Sequence, residues 1–163
     1  MDTVDKINNL SDFQVIRFFK FFSDEMLSGV NSSLEEIQTG ILEPIKQKDE
    51  FLKLESLLYS NAEENLNPEQ SALIARKLLF IMAQDDTLEP LLTAALNEYH
   101  DDELGAGNII AVGVAISMIL VSATTALQGT AFGVEFRKET ADAELVESIL
   151  SPAAEIFSGF QGQ

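Results

Sequence analysis

The stretch 109–127, IIAVGVAISMILVSATTAL, runs nineteen residues without a charge in a chain otherwise dense with acid. Taken as a helix at about 1.5 Å per residue it spans about 28 Å, close to the roughly 30 Å of a bilayer's hydrocarbon core. It must be hidden from water by surrounding helices, by lipid or by another copy of the chain. Ala111, Ala115, Ser122 and Ala126 fall on one face of such a helix and offer a smooth stripe for close helix packing. Against a helix, nine of the nineteen residues are β-branched, and residues 111–117 alternate small and large as a buried strand does. Length decides for a helix over about 107–123, because strands rarely run so long.

Beyond it the period changes to two. Phe132, Val134 and Phe136 alternate with Ala131, Gly133, Glu135 and Arg137, and Gln128-Gly129 just upstream is a turn candidate. A small β-hairpin near 124–137 follows, pairing 124–127 with 131–137. Two strands alone are marginal in water, so the hairpin has to lie on the bundle or pair with another chain.

Outward from this centre the pattern is helical. Ser11 with Gln14 makes a capping box, and the following Phe13, Val15, Ile16, Phe18, Phe19, Phe21, Phe22, Met26 and Leu27 cover most of a helix surface. Ser33 with Glu36 makes a second box, with a bend expected near Glu43 because Pro44 removes a backbone hydrogen bond. The clearest start signal is Asn67, Pro68, Glu69 and Gln70. Asp86 with Glu89 resembles a further box ahead of Leu88, Leu91, Leu92, Ala95, Leu96 and Tyr99. Thr140 is read as the cap of a last helix that Pro152 interrupts. The expected fold is mainly α, a single domain over 1–163 of five to seven helices around a central hydrophobic helix, with 158–163 a flexible tail.

The net charge of −17 repels phosphate backbones and anionic lipid surfaces, which argues against nucleic-acid binding and against an electrostatic membrane anchor. Between Lys77 and Arg137 there is no Lys or Arg, and the acids there gather at helix ends rather than along one face, unlike a DNA mimic. The N-terminus has neither a basic region nor an apolar core, so the mature chain is expected to begin where the sequence does. A chain with no cysteine has no disulfide framework, no thiolate nucleophile and no cysteine-ligated zinc, which fits a cytoplasmic setting.

Catalytic motifs are sparse. The only histidine, His100, is followed by Asp101 and Asp102, and with Asp85 and Asp86 these are weak candidates for a divalent-metal site. Consecutive residues at a helix end diverge, and no second histidine stands at ligand spacing. The GAG at residues 105–107 lacks the third glycine of a dinucleotide fingerprint, and no G-x-S-x-G elbow is present. No cofactor is expected.

These readings lead to a soluble, non-catalytic interaction or regulatory domain that self-associates or binds a protein partner, with Phe18, Phe19, Phe22, Phe132 and Phe136 as contact-surface candidates. One alternative is a membrane-active protein that inserts 109–127 into lipid, disfavoured because aromatic anchors and basic flanks are missing. A second is a carboxylate-dependent metal hydrolase using Asp85, Asp86, His100, Asp101 and Asp102.

Overall fold

The computed structural model describes residues 2–100 and 109–160. Among these, nine α-helices surround one core, and a two-stranded antiparallel sheet lies beside them, in keeping with the mainly helical fold expected. The helices α2 (Asp12–Gly29), α3 (Leu34–Thr39) and α6 (Pro68–Ala83) start at the foreseen caps Ser11, Ser33 and Asn67, each a capping box with reciprocal side-chain and backbone hydrogen bonds. Ahead of them α1 (Thr3–Asn8) is a short helix that periodicity does not announce. Asp2 caps it, Ile7 buries it, and Thr3 Oγ1 lies 2.9 Å from Glu89 Oε1 and 3.0 Å from Thr93 Oγ1.

The bend expected at Glu43 is instead a break at Gly40–Leu42. Gly40 approaches the segment after the central helix so closely that a Cβ there would meet Thr124 and Ala126, and Thr125 N donates to the Gly40 carbonyl at 2.9 Å. Pro44 then sits in the first turn of α4 (Glu43–Lys46), where its missing N–H costs nothing. The helix α5 (Asp49–Ser60) follows and packs on the central apolar helix and on the last helix of the chain.

The apolar centre forms as expected but is shorter. The helix α8 covers Val112–Ala123, and nine of its residues are buried. Residues 107 and 108 lie outside the described residues, while Ile109 and Ile110 are not helical and Ala111 is extended. The reason is a backbone partner: Leu66 N donates to Ile110 O at 2.9 Å, Val112 N to Glu64 O at 2.8 Å and Gly113 N to Ala62 O at 3.0 Å. The bridge sets Ala111 opposite Asn65, and the β-branched Ile110 and Val112 on either side suit such strand-like pairing. Among the described residues no helix is long and apolar enough to cross a membrane.

Two other boundaries differ. The N-cap position of α7 (Leu88–Glu98) is Thr87 and not Asp86, and the capping carboxylate comes from Asp85, whose Oδ1 accepts from Thr87 N at 2.9 Å and Leu88 N at 3.1 Å. The helix α9 (Ala143–Phe157) is capped by Asp142 rather than Thr140, and Pro152 lies inside it. The bond that proline forfeits belongs to the carbonyl of exposed Ser148, while Val146, Ile149, Leu150, Ala153, Ile156 and Phe157 bury the opposite side. Residues 158–160, the start of the expected loose tail, make a 3-10 turn; 161–163 lie outside the described residues.

Candidate interaction site: a hairpin pinned by a buried lysine

The strands are β1 (Leu127–Ala131) and β2 (Val134–Lys138), with Leu127 opposite Lys138 and Ala131 opposite Val134. The turn is therefore Phe132-Gly133, not Gln128-Gly129. Both turn residues have positive φ, 53° and 74°, the two-residue geometry that matches strand twist. A phenylalanine there costs roughly 1–2 kcal/mol of backbone strain. Packing holds it: the Phe132 ring stacks on Phe22 at 5.6 Å and lies 5.5 Å from Phe21, and its N–H donates to Glu25 Oε2 at 3.3 Å.

On its outer side β1 is joined to the bundle. Asn31 N donates to Gln128 O at 2.8 Å and Gln128 N to Ser32 Oγ at 3.2 Å, with a bridge between Val30 and Gly129. Both Gly29 and Gly129 are required by this approach, because a Cβ on either would collide with a backbone carbonyl oxygen of the other segment.

The open end of the hairpin is fixed by Lys138. Its side chain is fully buried, and Nζ donates to the carbonyls of Ser122 at 3.1 Å, Thr124 at 2.6 Å and Thr140 at 3.0 Å. Asp85 Oδ2 lies 3.4 Å away. Ser122 and Thr124 stand at the C-terminal end of α8, where the helix dipole favours a cation. Burial pushes the Lys138 ammonium below its ordinary range, and the charge and hydrogen bond of Asp85 oppose that shift. One ammonium thus joins the end of α8, the cap of α7, the end of β2 and the approach to α9. With its donors spent on carbonyls and a carboxylate, it is a structural cation, not an exposed nucleophile.

Of the metal candidates, the three described ones, Asp85, Asp86 and His100, form no cluster among the described residues. Asp85 is committed to Lys138 and to the α7 cap, Asp86 and His100 are exposed, and Asp101 and Asp102 lie outside the described residues. Among the described residues no group of three His, Cys, Asp or Glu is placed to hold a metal ion.

The proposed contact phenylalanines are mostly internal. Phe18, Phe19 and Phe22 are fully buried, Phe136 is 8% exposed, and only Phe132 is half-buried. The physical reason is that α2 is enclosed by α6, β1 and the Tyr99 ring, which meets Phe18 at 5.3 Å and Phe21 at 5.4 Å. Exposed apolar side chains occur instead as Phe13, Leu73 and Phe80 on α2 and α6, and as Leu34, Leu52 and Tyr59 on α3 and α5.

Reading the sequence missed Lys138, although the signal was present. Continuing the alternation by one step puts Lys138 on the inward face with Val134 and Phe136. The opposite face of the sheet carries exposed Gln128, Thr130, Glu135 and Arg137, which with Asn31, Gly129 and Phe136 line a shallow open trough of about 350 Å³. Comparison with protein-family models, curated proteins and solved structures finds no match in any of the three.

Proposed function

We propose that this chain is a non-catalytic interaction domain that acts through self-association, with the hairpin as its contact element. The observation that carries the reading is an asymmetry between the two sheet edges. The outer edge of β1 is bonded to residues 30–32, whereas among the described residues no strand or bridge pairs with the outer edge of β2. Unpaired strand edges are templates for another strand, and the Lys138 anchor holds this one ready in a fixed position. Asp85 and Lys138, the most deeply buried of the ion pairs among the described residues, are engaged in packing and capping contacts, which supports a structural role for them. A cytoplasmic setting accords with a chain that has no disulfide to protect.

Sedimentation velocity over a rising concentration series tests the proposal. The expected result is a reversible shift from monomer towards dimer. A chain that stays monomeric throughout contradicts it.

A further inference from the structure

We infer that the partner of the β2 edge is the β2 edge of a second copy, paired antiparallel about a two-fold axis through Phe136. This rests on the self-association proposed above and gives it a register. In a two-residue hairpin the pair flanking the turn, Ala131 and Val134, exchanges hydrogen bonds, and pairs alternate from there. Val134, Phe136 and Lys138 therefore bond inward to β1, while the N–H and C=O of Glu135 and Arg137 point to the outer edge. The same alternation holds on β1, where the outward groups of Gln128 are the ones that meet Asn31 and Ser32.

A two-fold axis at Phe136 sets Glu135 opposite Arg137 of the second copy, and Arg137 opposite its Glu135. These are the residues whose backbone groups face outward, so each opposed pair exchanges both hydrogen bonds. Their side chains are exposed on the same sheet face, and opposite charges stand directly across the seam, the favourable cross-strand arrangement. A two-residue slip along the seam loses this complementarity by putting like charges opposite each other. In the single chain Arg137 Nε lies 3.3 Å from Glu139 Oε1, an exposed ion pair that a better-placed partner displaces at little cost. The contact joins two short hairpins into a four-stranded sheet by an isologous interface, which closes instead of growing into a fibre. It buries little apolar surface and opposes the net charge of −17 on each copy, so the dimer is weak and reversible.

Charge exchange at the seam tests the register. Glu135→Arg makes each copy less acidic, so overall repulsion alone predicts a tighter dimer, whereas the seam places arginine against arginine twice. By sedimentation equilibrium, Glu135→Arg and Arg137→Glu are each expected to raise the dimer Kd on the order of tenfold. The double exchange Glu135→Arg/Arg137→Glu restores it. Both sites are exposed, and circular dichroism checks that each variant keeps its fold. Because the chain has no cysteine, a mixture of Glu135→Cys and Arg137→Cys chains gives a second test. Opposed Cα atoms of a hydrogen-bonded pair lie about 5.5 Å apart, within disulfide reach, so the mixture is expected to cross-link more than either variant alone. A wild-type dimer indifferent to the exchanges, with no preferential cross-link in the mixture, overturns the seam and leaves self-association standing. A wild-type chain that is monomeric at every concentration overturns both.

Discussion

The Lys138 ammonium and the Asp85 carboxylate stand 3.4 Å apart although they lie on opposite sides of the central helix in sequence order. Asp85 caps α7 with its other oxygen, so the pair couples helix capping to the placement of the hairpin.

Removing the ammonium strands the groups that it satisfies. Lys138→Met keeps the apolar stem but leaves the Ser122, Thr124 and Thr140 carbonyls and the Asp85 carboxylate without their donor. The expected loss of folding stability is about 3–5 kcal/mol, read by urea denaturation. A loss below about 1 kcal/mol would mean that solvent replaces the ammonium freely.

The pH dependence has a definite sign. The folded-state value of Lys138 is lowered from its ordinary 10.5, first by burial. Between the lowered value and 10.5 the unfolded chain therefore binds more protons, and stability from this group rises with pH across that window. Below the window both states are protonated and the contribution is flat. Other groups titrate nearby, so the comparison is with Lys138→Met: the stability gap in favour of wild type should widen as pH rises through the window. A gap that narrows contradicts the assignment.

Two glycines separate backbone conformation from space. A Cβ at Gly133 meets none of the described residues within 4 Å, so Gly133→Ala pays only for φ +74°, roughly 1–2 kcal/mol. A Cβ at Gly129 runs into the Gly29 carbonyl oxygen and the Val30 Cα. Gly129→Ala should cost more than Gly133→Ala and detach β1 from residues 30–32, visible as faster amide exchange at Asn31.

Within α2, Ser23 is fully buried and its hydroxyl has no hydrogen-bond partner among the described residues. Ser23→Ala removes an unsatisfied polar atom and should stabilise the fold by about 1 kcal/mol, measured as a higher denaturation midpoint. A lower midpoint would reveal a partner for the hydroxyl.

What could be read from the sequence follows the range of the interactions involved. Capping boxes at Ser11, Ser33 and Asn67 are local chemistry, complete within four residues, and they stand where expected. The apolar helix and the presence of a hairpin were legible from periodicity. The start of α8 was not, because Ile110 and Ala111 pair instead with a backbone segment more than forty residues upstream. The turn was misplaced because Gln128-Gly129 has turn composition, while Phe132 holds positive φ only through rings supplied by α2. An aromatic run at helical spacing is ordinarily packing, and Phe18, Phe19 and Phe22, named as contact candidates, lie in the core; which face is enclosed is a tertiary property. Asp85 and Lys138 were missed as a pair because nothing local links them. Glu135 and Arg137 stood in the sequence as the polar half of an alternation, but their opposition across a dimer seam needs the turn position and register first.

The measurement that bears most directly on the central claim is a dilution series of amide spectra on uniformly ¹⁵N-labelled protein, from about 1 mM to about 10 µM. The resonances of Glu135 and Arg137 should move together with concentration, while those of Phe13, Leu52, Tyr59 and Phe80 stay in place. Stationary Glu135 and Arg137 signals, with movement at the exposed apolar faces of α2 and α6 or of α3 and α5, would contradict pairing through β2.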